Sequence, residues 1–303
     1  MKKILLSLLS IGAVAGVAVL ATGAFFSDSE TSYDNTFTAG AIDLKVDSEC
    51  HRYVYDLGNA EANQEGYVDV GCGEGAEFGN WEETDLGEIH KFFNFLDLKP
   101  GDRGEDTISL HVYTNDAWGR LVIDGLTDLD VDCTEPESES SDPECNPIVG
   151  VPTPGDGELQ EALTFWVWLD QGSVPGFQNI GPDGKPRDIT PDPGEGDNIW
   201  QRETEPVLIS PGPINDPSET WNLWEGLAPV YVFAECTDPD GNTNYGFCQG
   251  IAEDGRMVGS TTYYFGVAWD LPFATGNEVQ GDTFGGDMSL QVVQHRNNPS
   301  KTF

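Results

Sequence analysis

Hydrophobic and polar residues alternate with a period of two along much of this chain. In the run Ala41–Val46, the apolar residues Ile42, Leu44 and Val46 fall on one face. Such alternation is typical of a β-strand with one buried face. The same pattern predicts further strands at Thr107–Tyr113, Leu121–Ile123, Thr164–Leu169, Val230–Phe233, Thr261–Trp269 and Met288–Val293.

Turn-forming residues separate these strands and disfavour long helices. The chain contains 36 Gly and 19 Pro, and turn sequences such as Lys99–Asp102 and Pro239–Gly241 lie between the apolar runs. One helical turn is predicted, within 157–163. The pattern therefore predicts an all-β fold, a single β-sandwich without a second domain.

Two stretches of this sandwich are predicted to be long loop insertions. The first, at about 128–157, contains the acidic low-complexity run Glu135–Asp142, whose composition cannot supply a buried core. The second, at about 174–217, is rich in Pro, Gly and Asp and is expected to cross the surface.

The N-terminus has the pattern of an export signal. Two lysines precede an apolar stretch from Ile4 to about Phe26, which predicts a signal helix. Small residues predict cleavage between Ala24 and Phe25, so that 1–24 is the signal peptide. The stretch is also long enough to span a bilayer, which leaves a retained anchor open. In either case we expect membrane contact through this segment alone and a secreted, extracellular or cell-surface location for the rest.

Acidic residues dominate the charge of the chain. It has 53 Asp and Glu against 14 Lys and Arg, a formal net charge of −39. Such a surface repels nucleic acid phosphates and anionic lipid headgroups, so nucleic acid is not expected as a partner. It attracts cations and favours a salty medium, where screening weakens self-repulsion.

The cysteines predict disulfides. An even number in an exported chain indicates a disulfide framework, and six cysteines allow fifteen connectivities. The spacing favours three local pairs, namely Cys50–Cys72, Cys133–Cys145 and Cys236–Cys248.

Three separated segments together resemble one family. Phe26–Gly40, with the run Asn35–Gly40, follows the export signal; Leu98–Asp102 precedes the strand at Thr107–Leu110; and Gly276–Asn298 closes the chain. These segments resemble the TasA/camelysin family of exported fibre and bundling-pilus subunits.

The resemblance implies a jelly-roll sandwich and a polymerising function. Precursors of this family are cut by an ER-type signal peptidase, and the freed N-terminus adds a strand to a neighbouring copy. The corresponding donor-strand segment here is 25–38, with Phe25, Phe26 and Phe37 as pocket-filling side chains, and 39–303 is the sandwich. The implied function is therefore a secreted structural subunit of extracellular fibres or biofilm matrix, whose main partner is itself.

Two other functions stay open at this point. The segment 25–38 is polar, as in the disordered tail of a monomeric surface adhesin or binding protein. The family also contains a cell-surface metallopeptidase, which predicts a zinc site. The sequence has no HExxH or GxSxG, and the nearest ligand pair is Glu88 and His90. We therefore expect no catalytic residues and no enzyme activity.

The sequence offers candidate ligands for calcium, and no other cofactor is expected. Asp238, Asp240 and Asn242 alternate like the start of a calcium loop, but Gln249 stands where that loop needs Glu. Three further carboxylates alternate along a predicted strand end, at Asp128, Asp130 and Asp132.

Overall fold

A computed structural model describes residues 27–32, 42–72, 79–87, 90–95, 97–113, 115–131, 134, 136–137, 153–154, 157–177, 192, 194–213, 219–233 and 249–303. The predicted signal helix at 1–24 lies outside these residues. The described residues form β1 (Ser27–Ser32), β2 (Asp43–Tyr55), β3 (Tyr67–Asp69), β4 (Trp81–Thr84), β5 (Arg103–Tyr113), β6 (Ala117–Asp130), β7 (Thr153–Pro154), α1 (Leu159–Ala162), β8 (Thr164–Leu169), β9 (Val207–Gly212), β10 (Glu219–Asn222), α2 (Leu223–Phe233), β11 (Thr261–Asp270) and β12 (Thr283–Gln294).

These strands form two antiparallel sheets in a sandwich-like arrangement, which confirms the predicted all-β class. Sheet I has the order β1–β12–β6–β10, with β7 also beside β6. Sheet II has the order β3–β2–β5–β11–β8–β9, with β4 also beside β2. Every strand pair in the two sheets is antiparallel.

The apolar faces of the two sheets enclose one core. Ile108 and Val267 of sheet II meet Leu121 and Leu290 of sheet I around a small internal cavity, with Leu223 of α2. The alternation seen in the sequence is the cause, because residues two apart on a strand share a face. Observed strands contain the predictions at Thr107–Tyr113, Leu121–Ile123, Thr164–Leu169, Thr261–Trp269 and Met288–Val293. Of the strand predicted at Ala41–Val46, β2 contains the part from Asp43; Ile42 precedes it, and Ala41 lies outside the described residues.

One predicted strand is wrong. Val230–Phe233 is the last turn of helix α2. Leu223, Leu227 and Val230 are buried and fall on one helical face, whereas Val232 is 71% exposed. Four apolar residues in a row do not distinguish a strand from a buried helix, and the spacing from Leu223 onward decides for the helix. The helical turn predicted within 157–163 is present as α1.

Both predicted insertions contribute to the folded body. Strand β9 lies within 174–217 and pairs with β8, so this stretch extends sheet II. In the acidic insertion, β7 pairs with the end of β6, and Glu137 is fully buried. The low-complexity composition did not predict a buried carboxylate, because composition describes the average environment of a segment and not that of one side chain.

A single glycine makes room for a fully buried tryptophan on sheet II. Trp168 is 1% exposed, and a Cβ built at Gly266 on the paired strand β11 would lie 1.9 Å from the Trp168 ring. Any larger residue at 266 would displace the indole, so Gly266 is required by this close approach.

A buried carboxyl pair anchors the segment between β8 and β9. Asp170 accepts hydrogen bonds from the amides of Gly196 and Asn198, at 3.1 and 3.2 Å, and Glu205 accepts one from the amide of Gly172 at 2.8 Å. The two carboxyls also bond to each other. Burial raises the pKa of both groups, and their mutual repulsion adds to the rise at Glu205. The pair therefore shares a proton near neutral pH.

We expect this shared proton to make folding less favourable as the pH rises from about 5 to about 8. An ordinary carboxyl in the unfolded chain loses its proton near pH 4.5, whereas the folded pair keeps it until about pH 8. The stabilisation is therefore complete below the unfolded pKa and is lost as the pH rises through the folded pKa. Denaturant unfolding at several pH values measures this slope.

Glu205→Gln is the informative variant because it removes the titration. It should lose about 1–2 kcal/mol at pH 5. The two Glu205 oxygens accept the amides of Gly172 and Gln201, and a Gln side chain keeps only one acceptor oxygen. Its stability should then change less than that of the wild type up to pH 8. The exposed control Glu203→Gln should keep the wild-type slope. Parallel pH profiles for the wild type and Glu205→Gln would contradict the shared proton.

Candidate functional site

The first described segment of the chain is the edge strand of sheet I. β1 pairs antiparallel with β12, with Ser27 opposite Val293 and Ser32 opposite Met288. No other described strand pairs with β1. An edge strand contributes backbone hydrogen bonds to one neighbour only, so its removal leaves a row of unpaired N–H and C=O groups on β12. The part of 25–38 that the structure describes therefore completes a sheet edge.

Strand β12, the partner of β1, has contacts of its own with the rest of the fold. Its side chains Met288, Leu290 and Val292 are buried in the core. On its other side, β12 pairs with β6 along nearly its whole length, from Thr283 opposite Leu129 to Gln294 opposite Ala117. Because these contacts do not involve β1, we expect β12 to keep its place when β1 leaves.

A β-bulge bends the ladder between β6 and β12. The register shifts between Gly285 and Asp287 on β12. Opposite this shift, Gly125 has a φ of 61°, a conformation that glycine adopts without strain. The strands are regular from Asp287 to Gln294, which is the stretch that contains the β1 register.

The predicted anchor positions of the donor segment lie outside the described residues. This applies to the cleavage residue Ala24, to Phe25, Phe26 and Phe37, and to residues 33–41. The described part, Ser27–Ser32, is the polar extended portion of the segment.

One predicted disulfide lies within the described residues. Cys50 of β2 is bonded to Cys72, which follows β3, with their Cα atoms 5.9 Å apart. Both side chains are buried, so the bond fastens the end of the edge strand β3 to the neighbouring strand β2. The other candidates, Cys133, Cys145, Cys236 and Cys248, lie outside the described residues.

The four histidines occupy separate places. His51, His111 and His295 each lie beside a carboxylate, with nitrogen–oxygen distances of 2.8 Å to Asp69, 2.7 Å to Asp47 and 3.3 Å to Asp254. His90 accepts a hydrogen bond at Nδ1 from the Gly87 amide, at 2.7 Å. Its predicted partner Glu88 lies outside the described residues. In the described part of the chain, no histidine belongs to a group of three convergent metal-ligand side chains.

The residues described here contain one such group, and it is made of carboxylates. Asp130, Glu137 and Asp282 each place one oxygen so that the three oxygens lie within 4.8 Å of one another. Asp130 is the last residue of β6, and Asp282 immediately precedes β12. The pairing of Leu129 with Thr283 brings these two strand ends together.

Hydrogen bonds from backbone amides orient two of the three carboxylates. Asp282 Oδ2 accepts the amides of Glu158 and Leu159 at 2.7 and 3.0 Å. Glu137 Oε2 accepts the amide of Thr134 at 2.6 Å. Burial raises the pKa of Asp282 to about 6; the two amide hydrogen bonds oppose this rise, and the charges of Glu137 and Asp130 add to it. Ionising all three carboxylates of the cluster is therefore energetically unfavourable.

The calcium candidates have different outcomes. Asp130 belongs to the cluster, and Asp128 lies half-buried two residues before it on β6. Asp132, Asp238, Asp240 and Asn242 lie outside the described residues. Sequence reasoning missed Glu137 and Asp282 because no spacing rule links positions so far apart. The sequence offered no signal closer than the position of Asp282, six residues before the predicted strand at Met288–Val293.

Comparison with known proteins adds no relative. No protein-family model matches the chain, and no curated protein matches it. No helix in the described residues is long and apolar enough to cross a membrane.

The β1–β12 register can be tested by cross-linking. Ser29 and Gln291 are directly opposed, so cysteines at both positions should form a disulfide within one chain. Peptide mapping by mass spectrometry would detect the cross-linked fragment. A matched control places cysteines at Ser32 and Gln291, which are three register positions apart.

The control pair should not cross-link. Three positions along a strand correspond to about 10 Å, beyond the roughly 7 Å that a disulfide can span between Cα atoms. Equal cross-linking of the two pairs, or none at Ser29 and Gln291 in a monomer, would contradict the register.

Proposed function

We propose that this chain is a secreted structural subunit of an extracellular fibre, related to the TasA/camelysin family, and that it polymerises by donor-strand exchange of 25–38. In this proposal the sandwich is a jelly roll, and the segment Ser27–Ser32 leaves its own β12 to pair with β12 of a neighbouring copy. The observation that carries the proposal is the position of β1, an edge strand that precedes every other described strand and pairs with β12 alone.

The chain connectivity permits such an exchange. Ten residues, 33–42, separate β1 from β2. Fully extended, they would reach about 35 Å, enough for β1 to leave its own sheet edge for that of an adjacent copy. Because β1 precedes all other strands after the predicted cleavage, it can leave without unthreading the sandwich.

The exchange also conserves backbone hydrogen bonds. A neighbour's Ser27–Ser32 can adopt the same register on β12 that the chain's own segment has, so the two states differ little in hydrogen bonding. The contact is head-to-tail, because the donor and acceptor surfaces differ, and a head-to-tail contact that does not close a ring produces a filament.

An oxidising compartment outside the cell agrees with this function. A buried disulfide between Cys50 and Cys72 is typical of proteins in oxidising surroundings, in agreement with the predicted export signal. The net charge of −39 makes copies repel one another, so we expect fibres to grow faster as salt concentration rises.

Electron microscopy of three forms tests the proposal. The mature chain from Phe25 should form fibres, whereas a chain that starts at Ala39 should stay monomeric because it lacks the donor. The cross-linked variant with cysteines at Ser29 and Gln291 should also stay monomeric, since its donor is bonded to its own acceptor. Negative-stain images and size-exclusion chromatography report the outcome.

Other results would favour the alternatives. Monomers from all three forms would contradict self-assembly and favour a monomeric surface adhesin or binding protein. Fibres from the cross-linked variant would exclude β1 as the exchanged strand. Chelator-sensitive casein cleavage by the mature chain would instead favour the metallopeptidase.

A further inference from the structure

The carboxylate cluster at the ends of β6 and β12 is built like a binding site. Asp130 is 4% exposed and Glu137 is 0% exposed, and Asp282 is half-buried. In the described residues, neither Asp130 Oδ1 nor Asp282 Oδ1 accepts a hydrogen bond, although both atoms are buried. A buried carboxylate oxygen without a partner is costly, so these two oxygens are available to a ligand that enters the cluster.

The charge balance points to a cation. No described Lys, Arg or His forms an ion pair with Asp130 or Asp282. Three carboxylates this close together, two of them buried and one half-buried, repel one another unless a positive charge lies among them. The surface acidity of the chain does not explain this arrangement, since exposed carboxylates are separated by water.

We propose that Asp130, Glu137 and Asp282 bind a calcium ion. All three ligands are carboxylate oxygens, which hard divalent cations prefer to nitrogen and sulfur ligands. Oxygens at about 2.3–2.6 Å from a shared Ca²⁺ lie at most about 5 Å apart, and the observed oxygens lie within 4.8 Å. Mg²⁺ usually keeps several waters in a regular octahedron, which a buried carboxylate group accommodates less readily.

The hydrogen bonds around the cluster hold the ligands in place before binding. The amides of Glu158 and Leu159 fix Asp282, and the amide of Thr134 fixes Glu137. The Thr134 hydroxyl donates to Gln280 Oε1 at 2.9 Å, which links the acidic segment to the chain before β12. A cation at this position joins the end of β6, the acidic segment and the start of β12.

Calorimetry of the mature chain from Phe25 tests the site. The titrant is CaCl₂ in about 0.5 M NaCl, which screens diffuse binding to surface carboxylates. We expect one saturable site in the wild type. Asp130→Asn and Asp282→Asn should each lose at least about tenfold in affinity. The control Asp56→Asn removes an exposed charge and can keep its turn hydrogen bond to the Gly58 amide, so it should bind like the wild type.

Thermal unfolding separates loss of the ligand from loss of the fold. Calcium at about 100 times its wild-type dissociation constant should raise the Tm of the wild type by about 5 °C, and that of Asp282→Asn by about half as much or less. In a chelator, Asp282→Asn should be at least as stable as the wild type, because it lacks one of three repelling charges. A folded variant with a weakened response to calcium is therefore expected.

Three results would overturn the proposal. The first is the absence of saturable calcium binding by the wild type, which would mean that protons alone compensate the cluster. The second is an equal calcium response in the wild type and both cluster variants, which would indicate binding elsewhere on the acidic surface. The third is equal affinity for MgCl₂, which would remove the assignment to calcium.

Discussion

The long antiparallel ladder between β6 and β12 supports every other feature of sheet I. It runs from Ala117 opposite Gln294 to Leu129 opposite Thr283, and its inward side chains meet sheet II in the core. β1 pairs with the side of β12 that faces away from β6. The pairing of Leu129 with Thr283 brings Asp130 and Asp282 together. Disrupting this ladder would therefore remove both the acceptor edge and the carboxylate cluster.

The β1 contact differs in kind from the rest of this sheet. The core residues of β12 are buried between the two sheets, so their burial is a property of the sandwich. β1 adds one short polar sequence, Ser27–Ser32, bonded to one neighbour through its backbone. Backbone pairing is independent of side-chain identity, as the proposed exchange between copies requires, whereas apolar packing would tie the strand to its own subunit.

The sequence predicted what short-range periodicity determines. Alternation placed Thr107–Tyr113 and Thr261–Trp269 in strands, because each buries every second side chain against one core. It failed at Val230–Phe233, where a four-residue run is too short to choose between two periods. The convergence of Asp130 and Asp282 was unpredictable, because it follows from the register of strands in opposite halves of the chain. The burial of Glu137 was hidden by the composition of its neighbours.

The proposed cation site and the proposed exchange edge both involve β12, but calcium binding at the first is not expected to affect strand exchange at the second. Asp282 precedes the first residue of β12, whereas β1 covers the stretch Met288–Val293 further along the strand. A ligand shifts an equilibrium only by the difference in its affinity for the two states. The three carboxylates are the same whether β12 holds its own β1 or a neighbour's. Calcium should therefore stabilise the subunit in both states and leave the choice between self-pairing and exchange to subunit concentration and charge screening.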